Sequence, residues 1–253
     1  MYQFFVEDDQ IGADVINITG ADVNHIRNVL RMKPGEQVRI SNQRGRDFLC
    51  SVAALSEQEV LLNIEQRDIK STELSSRIYL FQGIPKGERM ETVIEKAVEL
   101  GVYEIIPVAM KYCVVKLDEK KAQKKVARWQ EIARSAAKQS KRSLIPQIHP
   151  IMGFREAAAY ATQCDRCLVP YENEEGMAAT RRAFEHLADA GSISVFIGPE
   201  GGFAEEEIGA LRDQALVLSL GARILRTDTA AITMLSLLMM ELEQEQSDTQ
   251  AEQ

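Results

Sequence analysis

The chain of 253 residues changes its pattern once along its length. Up to about residue 66, short runs rich in β-branched and aromatic residues follow one another: "YQFFV", "VINIT", "EQVRI", "DFLCSVAAL" and "EVLLNIE". Turn-rich "SNQRGR" and polar "SEQE" separate the last three. One helix, "ADVNHIRNVLRM", interrupts them and stops at Lys33-Pro34-Gly35. From Arg77 onward, strands and helices alternate: "RIYLFQGI", a helix over 88–100, "EIIPVAM", a long helix from Asp118 to about Ser140, "RCLVPYE", and a helix over 177–190. Then come "ISVFIG", a helix over 205–214, "LVLSLG", and a last helix from Thr229 to about Glu243. Consecutive strands close into a small barrel, whereas alternation demands a parallel sheet covered by helices. The predicted architecture is therefore α/β with two domains, a β-barrel over 1–72 and a parallel-sheet domain over 73–244. Polar, aperiodic "QRDIKSTELSSR" links them, and the chain length agrees with two domains. The acidic tail, 245–253, has no core-forming residues and is expected to be disordered.

A formal net charge of −8 argues against a uniformly cationic surface. Charge is unevenly spread, however: Lys116 to Arg142 holds ten Lys/Arg against three acids. Such a local basic face binds nucleic acid even on an acidic protein; a merely solvated helix face is the plainer alternative. In that helix Ala122, Val126, Trp129, Ala133 and Ala136 share one stripe, which predicts one packed and one basic face. The final helix is apolar over more than one stripe, through Ile232, Leu235, Leu237, Leu238, Met239 and Met240, as burial by its own sheet and by a second subunit requires. No apolar run reaches membrane-spanning length and the start does not resemble a signal peptide, so a cytoplasmic location with no membrane partner is expected. Cys50, Cys113, Cys164 and Cys167 are too scattered for a disulfide framework, and no His completes a zinc spacing with Cys164 and Cys167; no metal is expected.

Parallel sheets bind ligands beyond the carboxyl ends of their strands. Three such ends carry distinctive loops: "LVPYEN", "IGPEGG" and "LGARILRTDTA", with Gly198, Gly201, Gly202 and Gly221 where backbone turns sharply or approaches a ligand. "GPEGGF" lacks the Lys-Ser/Thr of a P-loop and the spacing of a dinucleotide fingerprint. Glu200 would repel phosphate there, so a neutral or cationic nucleoside-like ligand fits better.

Four ordered segments, "LFQGIPKGERMETVIEKAVELGV", "RWQEIARSAAKQSKRSLIPQI", "FIGPEGGFAEEEI" and "LSLGARILRTDTAAI", together resemble the RsmE-type 16S rRNA uridine N3-methyltransferases, a branch of the SPOUT class. Near the start, "FFV" and "NHIRNVLRMKPGE" are similar to that family's PUA-like barrel. The resemblance implies a C-terminal SPOUT-type parallel sheet with a deep trefoil knot, S-adenosyl-L-methionine as cofactor, and a homodimer acting on 16S rRNA or the assembled small ribosomal subunit. On the family's cofactor-binding segments fall Leu168, Pro170, Ile197, Gly198, Gly201, Gly202, Leu218, Gly221, Ile224, Leu225 and Arg226. Two positions depart from the family pattern: Asp228 stands where Glu is usual, and Lys138 where an acidic residue is usual.

Transfer of a methyl group from a sulfonium to uridine N3 is an in-line displacement that needs alignment and loss of the weakly acidic N3 proton. Arg226 is the candidate for charge stabilisation, and Glu200 or Asp228 for accepting the proton or orienting Arg226; a structural ion pair of Arg226 with Asp228 is the plainer reading. His25 falls in the N-terminal helix, where packing or RNA contact suits it better than catalysis. Arg27, Arg31, Lys86, Arg89, Gln139, Ser140 and Arg142 are the candidate RNA contacts. Two other functions compete: an RNA- or ribosome-binding protein without turnover, and an unrelated nucleotide-dependent α/β enzyme, which the failed phosphate fingerprints disfavour.

Overall fold

A computed structural model describes residues 1–174, 176–184, 187 and 189–251, and no side chain at 179 or from 244 onward. Of the tail expected to be disordered over 245–253, residues 245–251 continue the last helix, and 252 and 253 lie outside the described residues.

The chain divides into two compact units. The first comprises Met1–Glu73 with Ala137–Ile145. Its strands are β1 (Tyr2–Phe5), β2 (Val15–Thr19), β3 (Gln37–Ser41), β4 (Asp47–Leu55) and β5 (Glu59–Arg67). They form one curled sheet in the order β1-β3-β4-β5-β2, with β1 parallel to β3 and the other pairs antiparallel. The backbone ladder ends at β1 and β2. Period-two patterning places Val38, Ile40, Phe48, Cys50, Val52, Val60 and Leu62 on one buried face. The predicted N-terminal helix is one α turn, α1 (Ala21–Asn24), continued by a wider π turn over His25–Val29. It contributes Val23 and Ile26 to the core, and His25 meets the Phe4 ring edge-on.

Ala137–Ile145 enters this unit through polar contacts that no sequence period announces. Arg142 is 3% exposed and its guanidinium pairs with Glu73 in a forked geometry. Ser143 bonds Asp47, Ser41 and Glu73, and Asp47 pairs with Arg39 at 2.7 Å. Arg142, expected as an RNA contact, is thus an interior residue: its charge is spent on Glu73 and its carbonyl accepts from Gln3. Lys138 pairs with Asp22 at 2.7 Å, which answers what the unusual lysine does there.

The second unit comprises Leu74–Ala136 with Pro146–Gln253. Its strands are β6 (Arg77–Gly83), β7 (Glu104–Ala109), β8 (Gln147–Ile148), β9 (Met152–Gly153), β10 (Arg166–Pro170), β11 (Ser192–Ile197) and β12 (Leu216–Leu218). All pairs are parallel, in the order β12-β10-β11-β6-β7-β8, with β9 also against β7. Near-continuous burial along β11 and β10 is what a sheet covered on both faces requires. The helices are α2 (Arg89–Glu99), α3 (Glu119–Ser140, whose last turn belongs to the first unit), α4 (Phe154–Ala161), α5 (Ala178–Phe184), α6 (Glu205–Leu211) and α7 (Thr227–Ala251). In α2, Met90, Val93, Ile94, Ala97 and Val98 form one buried stripe against α7. Asp118 caps α3 by accepting from the Lys121 N–H at 2.9 Å, so the predicted helix start is its cap.

Helix α4 and the two-residue strands β8 and β9 were not anticipated. The buried face of α4 is Ala157, Ala158 and Ala161, in a helix of only eight residues that shows barely two turns of pattern. Part of the helix predicted over 177–190 falls on residues 185, 186 and 188, outside the described residues.

Candidate active site

Strands β10, β11 and β12 run side by side, so Pro170, Ile197 and Leu218 end at one edge of the sheet and their loops meet there. The Tyr171 N–H donates to the Leu218 carbonyl at 2.9 Å, carrying the β10–β12 ladder into the loops. Buried Thr180 of α5 donates its hydroxyl to the Ser219 carbonyl at 2.6 Å and accepts from the Ser219 N–H, which fixes the third loop. Buried Thr227 of α7 donates to the Gly198 carbonyl at 2.6 Å and accepts from the Gln82 side chain at 2.9 Å. One hydroxyl thereby ties β6, the second loop and the start of α7 together.

The loops enclose a cavity of about 830 Å³, within the range for small-molecule sites. Two glycines shape it. Gly202 has φ +70°, and a Cβ there would fall on the Glu172 carboxylate. A Cβ at Gly201 would come within 2.7 Å of the Tyr112 Cβ. Of the expected cofactor residues, Pro170, Ile197, Gly198, Gly201, Gly202, Gly221, Ile224, Leu225 and Arg226 line the cavity. Leu168 and Leu218 are fully buried strand residues behind it.

Charge on the walls is mixed. Glu172, Glu174 and Glu200 line the cavity with Arg223 and Arg226. Glu200 pairs with Arg89 at 2.6 Å and accepts the Lys86 N–H at 2.9 Å. Partial burial pushes its carboxyl up, but the Lys86 N–H and the Arg89 guanidinium outweigh burial and hold it below the ordinary carboxylate range. Glu200 is thus bound to Arg89, not to Arg226; among the described residues Arg226 makes no ion pair, with Asp228 or any other acid. Asp228 stands in the first turn of α7 outside the cavity lining, its Oδ1 buried without a hydrogen-bond partner among the described residues. Lys86 and Arg89, expected at RNA, stand beside this loop, while Arg27, Arg31, Gln139 and Ser140 belong to the first unit.

Sequence reasoning missed Glu172, Glu174, Arg223, Thr180, Thr227 and Gln82. The first three adjoin the recognised glycine segments and were findable as charged flanks. A buried Thr that bonds a carbonyl 39 residues away leaves no local pattern.

An RNA methyltransferase domain family matches residues 72–239, and an RNA methyltransferase PUA domain matches residues 18–65. A ribosomal RNA small subunit methyltransferase E from Bacillus subtilis is 36% identical over 96% of this chain and 98% of its own. The chain belongs to the ribosomal RNA small subunit methyltransferase E family. A member from Mycobacterium bovis is 32% identical over 90% of this chain and 87% of its own. The crystal structure of the Neisseria gonorrhoeae member, bound to S-adenosyl methionine, superposes with a TM-score of 0.81 at 30% identity, covering 95% of this chain and 97% of that one. Membership accounts for the pairing of a curled N-terminal sheet with a parallel-sheet unit. Among the described residues no three His, Cys, Asp or Glu side chains cluster as a metal site, and Cys164 and Cys167 are free thiols. No described helix is long and apolar enough to cross a membrane.

Proposed function

We propose that the chain is an S-adenosylmethionine-dependent methyltransferase that acts at N3 of a uridine in 16S rRNA, naked or in the assembled small subunit, in the cytoplasm. The observation that carries this reading is the cavity at the carboxyl edge, walled by glycine loops and by carboxylates that tolerate a cation where they would repel phosphate. Gly198, Gly201, Gly202 and Gly221 offer backbone to the cofactor, and Glu172 and Glu174 face its positive groups. The bound cofactor supplies an electrophilic methyl group on sulfur.

Arg226, exposed on the third loop and without a carboxylate partner among the described residues, stabilises the negative charge that develops on the uracil ring as the N3 proton leaves to water. Glu200 orients Arg89 toward the RNA backbone instead of accepting that proton: a carboxylate held below its ordinary range is a weak base. Asp228 supports the helix start that presents Arg226. Lys86 and Arg89 beside the site, and Arg27, Arg31, Gln139 and Ser140 on the first unit, contact the RNA.

The trefoil knot belongs to this reading, supported by the placement of β12 beside β10 while α7 returns to α2 and β11. So does the homodimer: Met234, Leu235 and Leu238 of α7 are buried in their own unit, whereas Ile232, Leu237 and Met239 are only partly covered and Met240 is 51% exposed. A titration with S-adenosylmethionine, followed by transfer of labelled methyl to unmethylated small-subunit RNA, tests the proposal. Binding and transfer are expected, and Arg226→Ala should lower kcat about 10²- to 10³-fold. Binding without transfer would identify a non-catalytic RNA-binding protein.

A further inference from the structure

We propose that Tyr112 is the platform on which the uracil stacks while it is methylated; the proposal rests on the methyltransferase reading above. N3 of uracil lies on the base-pairing edge, so a base methylated there must leave its pair, and an unpaired base needs a new stacking partner. Among the exposed large apolar side chains of the described residues only Tyr2 and Tyr112 are aromatic, and Tyr2 lies in the first unit. Tyr112 is 46% exposed and follows the carboxyl end of β7, at the same edge of the sheet as the cavity.

Its position is fixed on three sides. The Tyr112 Cβ lies against Gly201, whose loop lines the cavity. The preceding Lys111 N–H donates to buried Glu207 at 2.8 Å, and the Cys113 N–H closes a turn on the Met110 carbonyl at 3.1 Å. A braced ring loses little freedom when a base settles on it. One cation lies over it: Lys111 Nζ is 5.8 Å from the ring centroid and pairs with Glu206 at 2.9 Å. An exposed aromatic with a cation over its ring, beside the loop that walls a cofactor cavity, has the chemistry of a single-stranded nucleotide site.

The test compares Tyr112→Ala, Tyr112→Leu, Tyr112→Phe and Tyr112→Trp with the intact protein. Base stacking predicts that Tyr112→Ala and Tyr112→Leu lower kcat/KM for small-subunit RNA roughly ten- to a hundredfold, with Tyr112→Phe and Tyr112→Trp within about twofold. S-adenosylmethionine affinity should stay unchanged in all four, which also reports that they fold. Small-subunit RNA transcribed with 5-iodouridine should photo-cross-link to the peptide holding Tyr112, a readout on bound RNA that needs no turnover. Unaltered kcat/KM in Tyr112→Ala, loss of cofactor binding in step with activity, or cross-links only elsewhere would overturn the assignment. Failure of the intact protein to methylate any small-subunit RNA would instead strike the methyltransferase reading.

Discussion

Glu200 sits in a glycine-rich turn with its side chain 23% exposed, and two donors hold it: the Lys86 N–H and the Arg89 guanidinium. Because its folded carboxyl titrates below the ordinary value of 4.5, the clasp contributes stability fully above that value and loses it as pH falls through the depressed one. The same sign applies to Glu104, where burial raises the carboxyl but the His149 and Tyr160 hydrogen bonds lower it further. If Glu200 positions Arg89, Glu200→Gln should cost about tenfold in kcat/KM for RNA and leave the pH profile of kcat unshifted. A proton acceptor would instead remove a limb of that profile when replaced. The sequence marked Glu200 as an anomaly in a phosphate-like loop; its partner, 111 residues earlier in the chain, had no local trace.

At the scale of elements, the end of α3 is the least expected feature. Its basic composition reads as a nucleic-acid face, yet the segment just beyond it is fastened into the first unit by the buried Arg142–Glu73 pair. Arg142→Ala takes a forked, charge-assisted contact from partly buried Glu73 and empties an interior site, so it should destabilise the protein by about 3 kcal/mol in denaturant unfolding. An exposed RNA contact would show little stability change and weaker RNA binding instead. Strands β3 to β7, β10 and β11 and helices α2 and α3 were legible because each repeats an apolar pattern over several residues. Helix α4, β8 and β9 were not, being too short to repeat a pattern. The cavity walls were legible as glycines and unreadable as the hydroxyls that hold them, since Thr180 and Thr227 act across the chain.

For the whole molecule, α7 carries two consequences. Its partly covered stripe should be the contact between two copies, so Ile232→Asp combined with Met240→Glu is expected to halve the mass seen by light scattering while preserving the fold. An unchanged mass would place the subunit contact elsewhere. Its first residue, Thr227, stands at the cavity directly after Arg226 of the third loop, so fold and chemistry meet at one helix start. The most direct measurement incubates the protein with labelled S-adenosylmethionine and unmethylated small-subunit RNA, then identifies the labelled nucleoside by mass spectrometry after digestion. 3-Methyluridine is the expected labelled product; label on another nucleoside, or none in either naked RNA or assembled subunits, would overturn methyl transfer to uridine N3.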